Sequence, residues 1–234
     1  MRREPLRAVL TSTCLPTERA REALQSFLRA RGECAPKRCL VVEDGRVTDA
    51  PFKASPELGA TEYLERWRSE VVAKLELAGV TSSEFCRLSE LATQSQLRER
   101  LSGVDVFYLG PGNTYKILYE VERLACGDPH FWHTLLTASG MVFVGESAGA
   151  IAAGFSIETV VWKGWDVRRA VPESWNNLAG LNLLPNDASI FAHHAREWED
   201  VVSARAGELP GPVLCLRDDE ALVLEGDAEP LRLS

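Results

Sequence analysis

Short apolar runs alternate with amphipathic segments of helical length along most of this chain, and that alternation admits few folds. Residues 6–11 read as a strand, and 18–31 follow with Ala20, Leu24, Phe27 and Leu28 at helical spacing. Residues 39–42 are a second strand, ended by Glu43-Asp44-Gly45-Arg46. Over 61–79 one helical face carries Tyr63, Leu64, Trp67, Val71, Leu75 and Ala78, and Gly79 is the stop. Residues 85–88 predict a strand and 91–101 a helix. Residues 104–109 predict a strand closed by Gly110-Pro111-Gly112, followed by helices over 115–126 and 129–138. The strand 141–144 runs straight into Gly145-Glu146-Ser147-Ala148-Gly149. This order predicts an α/β fold of three layers, a parallel sheet with helices on both faces.

Beyond Ser147 the pattern loosens. Residues 157–162 predict a strand, 163–177 a loop and 188–192 a short strand. Residues 213–216 and 221–225, separated by Arg217-Asp218-Asp219-Glu220, predict a closing pair of strands. At 234 residues the chain suits one domain over 1–234, with 45% hydrophobic and 26% charged residues. A net charge of −8 without a basic run disfavours nucleic acid and anionic membranes as partners. The six cysteines, Cys14, Cys34, Cys39, Cys86, Cys126 and Cys215, form no CxxC pair, so reduced thiols are expected and no metal or other cofactor is predicted. The apolar run behind Arg2, Arg3 and Arg7 is only Ala8-Val9-Leu10, too short for a signal peptide, and the expected location is cytoplasmic. Oligomeric state is not legible, though Trp165 or Trp175 would suit a homodimer contact.

In parallel α/β sheets, ligands sit beyond the carboxyl ends of strands. Two predicted strands end there in the most distinctive sequences of the chain. A serine at a sharp strand-to-helix turn has its Oγ exposed, and small neighbours let the turn close. The N–H of Ala148 then lies where an oxyanion would develop. Such a serine needs a base, and the chain has four histidines. His130 and His133 lie in a predicted helix upstream. His193 and His194 end the predicted strand 188–192, where only one of two neighbours can face the site. For the orienting acid, Glu158 and Asp166 fall between serine and histidine, with Glu146 and Asp187 as further options. Gly110-Pro111-Gly112-Asn113-Thr114 is the candidate for a second oxyanion donor, with Asn113 or Thr114 also suited to cap the next helix.

Taken together, Leu109-Gly110-Pro111-Gly112-Asn113-Thr114-Tyr115, then Gly145-Glu146-Ser147-Ala148-Gly149-Ala150, then Ile190-Phe191-Ala192-His193-His194 resemble the peptidase E (aspartyl dipeptidase) and cyanophycinase family of serine peptidases. The family pattern is GGGNT, G-x-SAGA and xxPH(Y/F), in that order and at similar spacing, over nearly the whole chain. The resemblance implies Ser147 as nucleophile and His193 as base, with Gly112 and Ala148 supplying the oxyanion-hole amides. Asn113 and Thr114 would lie at the substrate. It also implies a sheet similar to that of the class I glutamine amidotransferases, and a small peptide substrate.

Three departures stand out. Pro111 replaces the middle glycine and Ala192 the proline. At the offset where peptidase E carries its acid, this chain has Trp162, which leaves Glu158 ahead of Asp166 as the expected acid. The segment after the base lacks the basic loop of peptidase E, so selectivity for Asp-X does not simply transfer. Lys163, Arg168, Arg169 and Arg196 could each recognise a carboxylate. Two other readings compete. One is an esterase of the α/β-hydrolase type, disfavoured by the short separation of Ser147 and His193 and by the lack of a His-Gly-Gly segment. The other is a catalytically weak family member that binds a small ligand in the same cleft.

Overall fold

The computed structural model describes residues 4–32, 35–46 and 60–234, so Arg2, Arg3 and Cys34 lie outside the described residues. Strand β1 (Arg7–Thr11) leads to helix α1 (Glu18–Arg29), whose start is capped by the Thr17 hydroxyl accepting from the Ala20 N–H. Then follow β2 (Arg38–Val42), α2 (Ala60–Leu77) and β3 (Ser82–Cys86). Helix α3 (Gln94–Arg100) opens on a capping box, Thr93 with Gln96, ahead of β4 (Val106–Leu109). Helices α4 (Thr114–Ala125) and α5 (Phe131–Ser139) precede β5 (Val142–Glu146) and α6 (Ala148–Ala153). The remainder comprises α7 (Glu158–Lys163), β6 (Ser189–Phe191), α8 (Glu199–Arg205), β7 (Val213–Cys215), β8 (Ala221–Glu225) and β9 (Leu231–Leu233).

The main sheet has seven strands in the order β3-β2-β4-β5-β1-β8-β9. The first five run parallel, and β8 and β9 extend the sheet antiparallel beyond β1. Alternate side chains of the central strands enter opposite cores, as the period of two requires. Val106, Tyr108, Val142 and Val144 pack with Leu24, Leu28, Val71 and Leu75 of α1 and α2. Phe107, Leu109 and Phe143 pack with Ile117, Val121 and Ala150 of α4 and α6. The fold is thus the expected α/β sheet covered on both faces. The carboxyl ends of β1, β4 and β5 bring Thr11, Leu109 and Glu146 to one edge.

Two expectations about local structure need correction. Residues 157–162 form no strand; α7 is a helix. Val160, Val161 and Trp162 favour strands locally, but burial selects Thr159, Val160 and Trp162 and leaves Val161 45% exposed, which is a helical face. Trp162 packs there beside Phe191 and Leu209. Nor do residues 213–216 and 221–225 pair with each other. Strand β7 pairs in parallel with β6 in a separate two-stranded sheet, whereas β8 joins the main sheet against β1. The turn Arg217–Glu220 therefore crosses between sheets. Among the described residues, no helix is long and apolar enough to cross a membrane.

Two glycines make the functional edge possible. Gly112 has φ +126°, and a Cβ there would lie 2.1 Å from the Gly45 carbonyl oxygen. A Cβ on Gly149 would lie 1.9 Å from the Leu109 carbonyl oxygen, so only glycine lets α6 start against the end of β4. Gly149→Ala is expected to destabilise the protein by about 3 kcal/mol, the upper end for an overpacked interior. Calorimetry should register that as a fall of roughly 6–12 °C in melting temperature.

Candidate active site

Ser147 occupies the turn between β5 and α6 with φ 51° and ψ −105°, a backbone conformation that L side chains rarely adopt. Such residues cost of order 1–3 kcal/mol and persist only where their surroundings over-determine them. Here the Ser147 N–H donates to the Thr11 carbonyl of β1 at 2.8 Å, and its own carbonyl accepts from the Ile151 N–H at 2.9 Å. The turn is pinned from both sides, and Oγ projects beyond the sheet.

His193 follows β6 and also has positive φ, 51°. Its N–H donates to Ser12 Oγ at 2.8 Å, and the Ser12 hydroxyl donates to the Leu216 carbonyl at 2.8 Å. The bend turns its imidazole toward α6, leaving Nε2 2.7 Å from Ser147 Oγ. His194 instead turns away, its N–H donating to the Leu216 carbonyl and its ring against Phe191.

Behind His193 stands a residue that sequence reasoning missed. Nδ1 lies 2.6 Å from Asp218 Oδ1, in the turn between β7 and β8. Asp218 is anchored through its carbonyl, which accepts from the Thr13 hydroxyl at 2.8 Å. The turn is closed by the Glu220 carboxylate, which accepts from the Arg217 N–H at 3.0 Å and from Arg232 of β9. Neither expected acid is there. Glu158 is in the first turn of α7, outside the cleft, where its charge acts on Arg205 of α8. Asp166 lines the cleft, but its Oδ2 accepts from the Thr114 N–H at 2.7 Å. Both lie between serine and histidine in the chain, whereas Asp218 lies beyond His193. The signal for Asp218 was a pair of aspartates in a tight turn between two strands downstream of His193.

Asn113 is spent on structure: its Oδ1 accepts from the Lys116 N–H and its Nδ2 donates to the Val167 carbonyl. With the Asp166–Thr114 contact, it ties the loop after α7 to the start of α4. Gly112 lines the cleft beside Ser147, and Ala148 is the first residue of α6 directly after it. Among the described residues no backbone carbonyl accepts from either of their N–H groups. The cleft measures about 660 Å³ and is also lined by Ile151, Val160, Trp165, Arg46 and Arg169.

Burial dominates the electrostatics. It pushes the carboxyls of Glu146 and Asp166 up, against the hydrogen bonds that favour their ionised forms. For Glu146 those bonds come from the Tyr108 hydroxyl at 2.6 Å and Trp67 Nε1 at 3.4 Å. Burial also pushes the His193 imidazole down, opposed by Asp218 and helped by the Lys163 charge. The buried Cys14 thiol is held far above its ordinary value, which removes it as a competing nucleophile. Cys14, Cys39, Cys86, Cys126 and Cys215 are free thiols, and the described residues contain no metal-binding group of three or more His, Cys, Asp or Glu.

Fold and site together define a class: a parallel α/β protein with a serine on a strained strand-to-helix turn, hydrogen-bonded to a histidine. The chain belongs to peptidase family S51, whose model matches residues 59–231. Its fold is similar to that of the "Putative Peptidase E Protein" from Listeria monocytogenes EGD-e, at 21% identity and a TM-score of 0.67, covering 98% of this chain and 100% of that one. A peptidase from an acI-B1 Actinobacterium is similar at 13% identity and a TM-score of 0.60, covering 99% and 95%. Comparison with curated proteins gives no match.

Proposed function

We propose that this chain is a serine peptidase that hydrolyses dipeptides or short peptides through an acyl-enzyme on Ser147. The observation that carries this reading is the continuous relay Ser147 Oγ–His193 Nε2 at 2.7 Å and His193 Nδ1–Asp218 Oδ1 at 2.6 Å. His193 takes the Ser147 proton as Oγ attacks the scissile carbonyl, then delivers it to the leaving amine. Asp218 holds the imidazole in the tautomer with hydrogen on Nδ1 and offsets the charge of the imidazolium that forms. The N–H groups of Gly112 and Ala148 stabilise the oxyanion. Water then enters, His193 takes its proton, and the second tetrahedral intermediate collapses to release the acid.

The cleft sets Arg46 and Arg169 among Glu146 and Asp166, while the Lys163 ammonium is committed to the Ala192 and His193 carbonyls. A zwitterionic dipeptide would find counter-charges for both its ends there, and an acidic side chain such as that of Asp-X would find arginines. An esterase reading lacks any comparable support in the family match. Asp218 is 66% exposed, which favours a second reading, a slow member whose histidine is loosely oriented.

The test pairs a fluorophosphonate probe with a panel of Asp-X, Glu-X and neutral dipeptides, free and blocked at either terminus. The expected result is stoichiometric labelling at Ser147 and turnover of free dipeptides. Labelling without turnover would select the slow reading, and no labelling would reject both.

A further inference from the structure

Lys163, the last residue of α7, is half-buried at the cleft among three rings. Its Nζ lies 4.1 Å from the ring centroid of Trp165, 4.4 Å from that of Phe191 and 5.4 Å from that of Trp198. Its hydrogen bonds go to backbone: the ammonium donates to the carbonyls of Ala192 and, at 3.3 Å, His193. Those two carbonyls belong to the peptide planes on either side of the His193 Cα. Holding both planes fixes both backbone torsions of the base, which is in the left-handed region that L residues avoid.

We propose that Lys163 is a positioning residue: it clamps the two peptide planes flanking His193 so that the imidazole points at Ser147, and its positive charge opposes formation of the imidazolium. The proposal rests on the reading of Ser147 and His193 as nucleophile and base. The imidazole faces Asp218 from the β7–β8 turn, Lys163 from α7 and the hydroxyl of Ser147. Lys163 in turn faces Asp218, Cys215 of β7, Glu197 ahead of α8 and Asp166 of the loop beyond α7. Burial brings the lysine down to about 8, so it is charged at neutral pH. Asp218 and Lys163 therefore pull the titration of His193 in opposite directions, the acid up and the lysine down.

The experiment measures two things in the parent enzyme, Lys163→Met and Lys163→Arg: the NMR titration of the His193 ring nitrogens, and kcat and KM against pH on a dipeptide substrate. Lys163→Met is expected to lower kcat by roughly tenfold to a hundredfold, the cost of misplacing a catalytic group by about an ångström. KM should stay within about threefold, and the His193 titration and the acid limb of kcat/KM should move up together. Lys163→Arg keeps the cation and should keep the titration of the parent. A rise in KM at unchanged kcat would make Lys163 a substrate contact and overturn the proposal. So would a His193 titration that fails to rise in Lys163→Met, or one that rises equally in Lys163→Arg. Should Lys163→Met not fold, Lys163→Gln, which also removes the cation, takes its place in both measurements. The titration is read without turnover, so a failure of the peptidase reading is seen separately, as a parent enzyme with no hydrolysis that depends on Ser147.

Discussion

Ser147→Ala is expected to lower kcat for dipeptide hydrolysis by about 10⁶-fold, the scale on which removing the nucleophile acts in serine proteases of unrelated fold. No neighbour can take over. The Ser12 hydroxyl is committed to the Leu216 carbonyl while accepting from the His193 N–H, and burial keeps Cys14 protonated. Stability should scarcely change. The side-chain bond lost, Oγ to His193, is worth about 1 kcal/mol, or roughly 2–4 °C in melting temperature. The backbone strain at φ 51° is the same for alanine as for serine. Progress curves and calorimetry on the purified variant check both halves. Turnover within tenfold of the parent, from a variant that melts normally, would remove Ser147 from the mechanism.

Asp218→Asn is the second large effect. An amide in this place can present its N–H₂ to Nδ1, which favours the wrong tautomer and leaves Nε2 protonated against Ser147. In a buried triad that change lowers kcat by about 10⁴-fold. At 66% exposure, water substitutes in part for the carboxylate, and a loss of about 10²-fold is expected. The sign of the pH effect follows from the same contact. His193 works as a base only when neutral, so kcat/KM falls as pH drops through its pKa, which burial already holds below the ordinary imidazole value. Asp218 favours the imidazolium, and its loss should move the acid limb further down. Glu158→Gln should leave kcat within about twofold, because Glu158 lies outside the cleft. An equal loss in Glu158→Gln would return the acid to α7.

How much of this could be read from sequence depends on whether local chemistry or tertiary contact decided each element. The strands ending at Leu109 and Glu146 were legible because they are apolar on both faces and stop at glycines whose absent Cβ the fold requires, Gly112 and Gly149. Residues 157–162 were not, because Val160-Val161-Trp162 favours a strand locally, while packing of Trp162 against Phe191 and Leu209 made the segment a helix. The pairing of 213–216 with 221–225 failed for a related reason. Two strands joined by a short turn suggest a hairpin, yet β7 found β6 and β8 found β1. Asp218 sits in the turn between those two strands, so its place depends on the same tertiary pairing. A carboxylate placed by a turn between two different sheets carries no spacing signature relative to His193.

The turn that holds Asp218 is braced by a carboxylate, Glu220, whose counter-ion Arg232 belongs to β9 at the far edge of the sheet. The nucleophile is set by the centre of the fold, β1, β5 and α6, the base by the end of β6 in the small sheet, and the acid by a turn held both at Thr13 beyond β1 and, through Glu220, at the rim. The relay thus joins residues that follow three different strands, β5, β6 and β7, of two separate sheets. Loss of the Arg232–Glu220 contact at the edge of the sheet would therefore reach the chemistry through Asp218, as a change of tautomer rather than as a misplaced serine.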